Sequence, residues 1–308
     1  MEDLSMTAQP SCLGGLLALG LVAGSAAAPA TAGETTLEAT YAATVAGFPV
    51  GSGTLSFGVA PTGDYHAAIE AQIRGLATLI ANRSASASAS GRVSGRDISS
   101  RDYSLAIEGG PQANRVEMSF NGGAVARLSA NELYFPGWDR RVPLQPEHKR
   151  NVVDPLAAFV LAVPPGRDPM AKENCERTAR IFDGRVRYDL RMVYGTRMEV
   201  QATDVTAPKG ADRGNAYVGP ALVCAVNYRP IAGFRPLSPE EEKFERNLEF
   251  SIWFVPVAGA SVLLPYKIVV GTPIGLLQVY AYRFEARVSG AAEADGPAPR
   301  TTASIPAR

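Results

Sequence analysis

The chain has 308 residues and a mass of 32.5 kDa, with 30 basic residues, 30 acidic residues and 46% hydrophobic residues. Zero net charge excludes a general nucleic-acid binder, which needs a basic surplus for its phosphate contacts. Charged residues at 19% with ordinary hydropathy exclude wholesale disorder, and two histidines and three cysteines leave few parts for a His/Cys metal site.

The first predicted element is an export signal over residues 1–32. No residue from Ser11 to Gly33 is charged, and Leu13 to Val22 is apolar and rich in leucine. Ala30-Thr31-Ala32 then offers the small −3 and −1 side chains that signal peptidase accepts. The apolar block is too short for a membrane-spanning helix. Glu2-Asp3 departs from the pattern, because no Lys or Arg precedes the apolar block, and an uncleaved anchor is the alternative. Cys12 follows Gln9-Pro10-Ser11 rather than a lipobox, so lipidation is not expected there. Removing residues 1–32 deletes Glu2, Asp3 and Cys12, leaving a slight positive balance and two cysteines, Cys175 and Cys224. Two cysteines in an exported chain favour one disulfide, with two buried free thiols as the alternative. Arginine outnumbers lysine 25 to 5, the composition of a GC-rich bacterial genome, so export reads as periplasmic.

Period-two alternation then predicts strand after strand. Leu37, Ala39, Tyr41, Ala43 and Val45 share one face, and Gly47-Phe48-Pro49 ends that run. Leu55-Phe57-Val59 follows, then a Pro61-to-Asp64 turn and a face of Tyr65, Ala67, Ile69, Ala71 and Ile73. Gly75 to Ile80 is a candidate helix. Ser84 to Ser90 alternates Ser and Ala and reads as a strand with small side chains, or else a low-complexity loop. Tyr103-Leu105-Ile107 and Val116-Met118-Phe120 continue the meander. Asp154-Pro155 is an N-cap with proline at the first helical position, predicting a helix over Leu156 to Leu161.

Asp183-Gly184 predicts a two-residue type I′ hairpin turn. The strand after it alternates Val186, Tyr188, Leu190, Met192 and Tyr194 with charged residues. Leu222, Cys224, Val226 and Tyr228 form another inward face. Ser238-Pro239-Glu240-Glu241 is a capping box opening a charged helix through Arg246. Leu248 to Phe254, Val262 to Val270 and Leu276 to Phe284 complete the strands, and residues 289–308 read as a disordered tail. The expected fold is mainly β: a single antiparallel, open or partly closed β-barrel or half-barrel over residues 33–288, with two or three short helices.

Catalytic motifs are absent. The chain has no Gly-x-Ser-x-Gly, no His-Glu-x-x-His, no phosphate-binding loop, no dinucleotide fingerprint and no Cys-x-x-Cys. His66 and His148 read as surface or hydrogen-bonded residues. No catalytic residue, metal or cofactor is assigned. The arginines Arg177, Arg180, Arg185, Arg187, Arg191 and Arg197 crowd two adjoining strands, with Asp183 and Asp189 among them. One reading is a solvated sheet face with cross-strand ion pairs. The other is a ligand site for an anionic envelope component, with Arg180, Arg185, Arg187, Arg191 and Tyr188 as candidates, because the arginine fork suits phosphate. Tyr188, Leu190, Met192 and Tyr194 then form either an acyl-chain face or an ordinary core.

The same segments carry a family resemblance. They are Tyr41-x-Ala43-x-x-x-Gly47-Phe48-Pro49-Val50-Gly51, Asp154-Pro155-Leu156-Ala157-Ala158, and Cys175 followed by Phe182-Asp183-Gly184-Arg185-x-Arg187-Tyr188-Asp189-Leu190. The last is Cys224-x-Val226-x-Tyr228-x-Pro230-Ile231-Ala232-Gly233-Phe234. Together they resemble the proteobacterial domain-of-unknown-function family numbered 3108 over roughly residues 37–285. The resemblance implies a β-rich exported envelope protein, supports pairing Cys175 with Cys224, and transfers no catalytic residue.

The expected function is a non-enzymatic periplasmic protein that binds a hydrophobic or amphipathic ligand, or an envelope partner. Lipid, lipopolysaccharide and an envelope protein are the expected partners, with no nucleic acid and at most a peripheral membrane association. The alternatives are a cell-envelope integrity scaffold without a small ligand, and an envelope hydrolase working through carboxylates such as Asp154, Asp183 or Asp189.

Overall fold

The computed structural model describes residues 33–73, 83–109, 112–133, 138–201, 203–204, 207–208, 211 and 216–289. The export signal over 1–32, the candidate helix over 75–80 and the tail beyond Ser289 lie outside the described residues.

Alternation becomes strands throughout. They are β1 (Thr35–Val45), β2 (Phe48–Val59), β3 (Asp64–Ile73), β4 (Arg83–Ser94), β5 (Asp97–Glu108), β6 (Asn114–Asn121) and β7 (Ala124–Ala130). The second half adds β8 (Leu161–Ala162), β9 (Arg177–Phe182), β10 (Arg187–Val200), β11 (Gly219–Ala232), β12 (Phe250–Pro256), β13 (Val262–Thr272) and β14 (Gly275–Val288). All but β8 form one path, β7-β6-β5-β4-β3-β2-β1-β14-β13-β12-β11-β10-β9, in which every neighbouring pair is antiparallel. The first and last strands pair in its middle, Thr35 opposite Val288.

The ladder is open, with β7 and β9 as its edges. Residues 150–153 bridge those edges. Arg150 pairs with Ala124 and Val153 with Ile181. The Val152 amide donates to the Gly123 carbonyl at 3.0 Å, and the Val153 amide to the Arg180 carbonyl at 2.8 Å. These bonds serve part of the unpaired backbone that an edge strand otherwise exposes. Side chains reinforce the seam, where Phe182 packs with Val116, Met118, Phe120 and Val152.

Past the seam the chain turns inward and feeds two packed clusters. Ala157, Val160 and Ala162 join Leu37, Leu55 and Phe57 of β1 and β2. Ala158, Leu161 and Val163 join Leu190, Met192, Leu222, Cys224, Ile252 and Phe254 of β10 to β12. Cys175 and Cys224 form the disulfide, at a Cα separation of 5.4 Å, with both residues fully buried.

Three local expectations need correction. The helix over Leu156 to Leu161 is a single 3-10 turn, Ala157–Phe159, because Leu161 and Ala162 pair with Leu263 and Val262 of β13 instead. Sheet pairing satisfies those backbone groups, so the helix stops. The Asp183-Gly184 turn is a four-residue connection, since Phe182 is opposite Arg187 and only Gly184 has a positive φ, at 95°. Asp183 accepts the Arg185 and Val186 amides through Oδ1, at 2.8 and 2.6 Å. Two-residue turns with both φ values positive occur instead at Ala46-Gly47, at 49° and 84°, and at Gly122-Gly123, at 56° and 76°. Of the two or three short helices, one is present among the described residues, α1 (Pro239–Arg246), and it opens on the Ser238/Glu241 capping box.

Candidate functional site

The two halves of the sheet fill their concave faces differently. On β1 to β3 the inward positions toward one end are small. Ala43 is opposite Gly51, and Gly51 opposite Ile73; Tyr41 is opposite Gly53, and Gly53 opposite Ala71. At Gly51 and Gly53 a Cβ would lie 2.6 and 2.9 Å from the carbonyl oxygens of Gln72 and Glu70, so the tight β2–β3 pairing itself holds these positions to glycine. Small side chains on a curved sheet leave space.

That space is a cavity of about 520 Å³. Its walls include Leu55, Phe57, Ala67, Ile69, Ala71 and Ile73 from β2 and β3, and Leu264, Ile268, Leu277 and Val279 from β13 and β14. Pro155, Leu156, Phe159 and Val160 make its floor. Among the described residues, no charged side chain lines it. The Tyr41 hydroxyl, on the wall, donates to the Pro265 carbonyl at 2.6 Å, and burial pushes its pKa well above the phenolic range. Lining residues grade from buried Phe57 and Ala67 to Ile73, which is 42% exposed, so the cavity opens beside Ile73. Such a site takes hydrocarbon and offers almost nothing to a charge.

Asp154 positions the floor. Its carboxylate is fully buried; Oδ1 accepts the Leu156 and Ala157 amides at 2.8 and 2.9 Å, and Oδ2 accepts the Ser100 hydroxyl at 2.5 Å. The Asp154 amide donates back to Ser100 Oγ at 2.9 Å. Burial raises the Asp154 pKa above the ordinary carboxylate value, and the four bonds around it pull the other way without winning. Asp154 is therefore a cap that fixes the entrance of the inner segment, tied to β5 through Ser100.

The structure disperses the arginine group. Arg187 is buried, and its Nη1 is shared between Asp189 Oδ1 and the Tyr188 carbonyl, both at 2.6 Å. Arg185 reaches across the seam to Asn114 Oδ1 at 3.0 Å, Asn131 Oδ1 at 3.1 Å and the Arg115 carbonyl at 3.3 Å. Gly184 beside it has no room for a side chain, because a Cβ would sit 2.4 Å from Val116. Arg180, Arg191 and Arg197 are exposed, and half-buried Arg177 donates to the Val160 carbonyl at 3.5 Å. The Tyr188 ring packs on Tyr228, centroids 5.4 Å apart. The face of Tyr188, Leu190, Met192 and Tyr194 is not a cleft: Leu190 and Met192 are core, and Tyr194 is 41% exposed.

The remaining chemical candidates have local partners. Exposed His66 sits 3.5 Å from Glu34, and His148 Nδ1 accepts the Gln145 amide. Asp183 holds its turn and Asp189 its arginine. No cluster of three or more metal-ligating side chains occurs among the described residues. None of their helices is long and apolar enough to cross a membrane. Sequence reasoning missed the cavity, although two glycines on one face of a strand, Gly51 and Gly53, were the signal available for it.

Residues 40–282 match a family model described as a protein of unknown function (DUF3108). No curated protein sequence matches the chain. Among solved structures, the chain is similar to a beta-barrel-like protein of domain of unknown function DUF1849 from Brucella abortus, with 10% identity and a TM-score of 0.45. That match covers 82% of this chain and 98% of the other.

Proposed function

The chain belongs to the DUF3108 family of proteins of unknown function, and from that premise we propose that it is a binding protein, not a catalyst, whose ligand carries an apolar chain held in the β1–β3/β13–β14 cavity. One observation carries this reading: a space of about 520 Å³, lined by side chains without charge, between a strand wall built from small residues and a floor fixed by Asp154. A predominantly apolar wall recognises hydrocarbon by burial, worth about 0.8 kcal/mol per methylene, and leaves a polar headgroup outside. We place the protein in the periplasm, with residues 1–32 as its export signal, and read the rolled sheet as a half-barrel. The buried disulfide fits an oxidising compartment.

The test is native mass spectrometry, with lipid extraction, of the full chain purified from its own host. The expected result is a co-purifying amphiphile that disappears in the Ala71→Phe variant, whose ring fills the cavity. A wild-type protein free of any bound species, or a ligand retained unchanged by Ala71→Phe, overturns the reading. An integrity scaffold without a ligand predicts the first of those outcomes.

A further inference from the structure

The mouth of the cavity has a rim that the binding reading does not use. Two hairpin tips abut there, β1–β2 at Ala46-Gly47 and β13–β14 at Pro273-Ile274. The Ala46 amide donates to the Leu276 carbonyl at 3.0 Å. Gly275 lets the tips meet, since a Cβ on it would lie 2.8 Å from that of Ala46, and its φ is 122°. From these tips and the end of β3 project Phe48, 57% exposed, Ile274, 77%, Leu276, 37%, and Ile73, 42%. A single exposed apolar side chain is commonplace, but four around one end of one apolar cavity are not.

Charge is distributed along the same strands with a sharp asymmetry. Residues 39–63 and 268–282, the tip-side portions of the two hairpins, contain no Asp, Glu, Lys or Arg, and Lys267 in the middle of β13 bounds the second of them. Glu34, Glu38, Asp64, Arg283, Glu285 and Arg287 lie toward the other ends of these strands, where Thr35 is opposite Val288 and Val59. The two hairpin tips therefore bring no charge of their own into an apolar phase, and the nearest carboxylates are exposed Glu249, whose carbonyl accepts the Gly271 amide, and exposed Glu70, three residues before Ile73. Arg83, exposed and opposite Ile73 in the ladder, is the cation placed to meet an anionic headgroup beside it.

We propose that this rim docks on a phospholipid bilayer and that the cavity receives its ligand tail-first from that surface. The proposal rests on the cavity reading. A long acyl chain costs about 0.8 kcal/mol per methylene in water, so it resides in a bilayer, and a mouth seated in the interface spares it the aqueous crossing. The uncharged tips select hydrocarbon over a charged protein partner.

The experiment uses the full chain with vesicles of phosphatidylethanolamine and phosphatidylglycerol, read by flotation and by mass spectrometry of the recovered protein. Wild type is expected to float and to load phospholipid. The Phe48→Ser/Ile274→Ser double variant is expected to float at least about tenfold less, to melt like wild type, and still to take up a lysophospholipid supplied below its micellar concentration. Unchanged flotation of the double variant, or no flotation of wild type, overturns the proposal. A wild-type dimer that the double variant converts to monomer, without flotation, also overturns it and assigns the rim to a second copy of the chain. Ala71→Phe separates the two readings: it is expected to float normally and stay empty. If it loads like wild type, the cavity reading fails while the docking reading stands.

Discussion

The β9–β12 half and the β1–β3 half share one sheet and one alternation of residues, yet only one of them is solid. In the first, Leu190, Met192, Leu222, Ile252 and Phe254 meet Leu161 and Met170 around a buried disulfide. In the second, Ala43, Gly51, Gly53 and Ala71 face the same inner segment and leave a cavity. Alternation assigns a face; side-chain volume decides whether that face packs or stays open.

The largest break of this contrast is expected at the disulfide. Cys175 and Cys224 enclose 49 positions of chain, and the loop-entropy model gives the bridge about 4 kcal/mol. Replacing both cysteines by alanine should lower stability by that order in denaturant titration, chiefly through the packed half. A smaller effect separates the halves directly. Ala179→Phe, at a buried position on β9, should cost about 1–3 kcal/mol by overpacking. Ala71→Phe should be neutral or stabilising, because its ring enters existing space. Equal losses from both would mean that the two halves are packed alike.

The smallest expected effect concerns the cap between them. The folded-state pKa of Asp154 is raised, so the folded protein holds this proton to higher pH than the unfolded chain does. Its contribution is present at acid pH and is lost as pH rises from about 4 through the raised value, with a slope of at most about 1.4 kcal/mol per pH unit. Burial raises Asp183 too, which adds a slope of the same sign. Asp154→Asn should flatten, without abolishing, the fall in stability across that window; an unchanged profile would show that Asp154 is not its source.

Much of the fold was legible along the chain, and the failures have definite causes. The Ser/Ala run became β4 because its alanines, such as Ala89, face the core while its serines bond across the outer side, as Ser88 does with Ser104. The capping box at Ser238 needed nothing beyond its own four residues. The arginines part at a bulge: the register with β11 shifts between Arg187 and Tyr188, and Arg187 is buried where alternation alone placed it on the charged face, while Arg180 and Arg191 stay exposed. The Asp183-Gly184 motif was correctly a turn, but its glycine answers to Val116 across the seam as much as to its own backbone. Only a partner distant in sequence imposes that demand.

Local pattern along the chain sets the strands, their antiparallel succession and the capped helix α1, because each depends on neighbours within a few residues. Tertiary structure alone decided that β1 lies beside β14, that residues 150–153 bridge the open edges, and that Pro155 to Val160 floor a cavity whose walls come from both ends of the chain. A cavity is a deficit of volume summed over segments far apart in sequence, and no local pattern carries that sum.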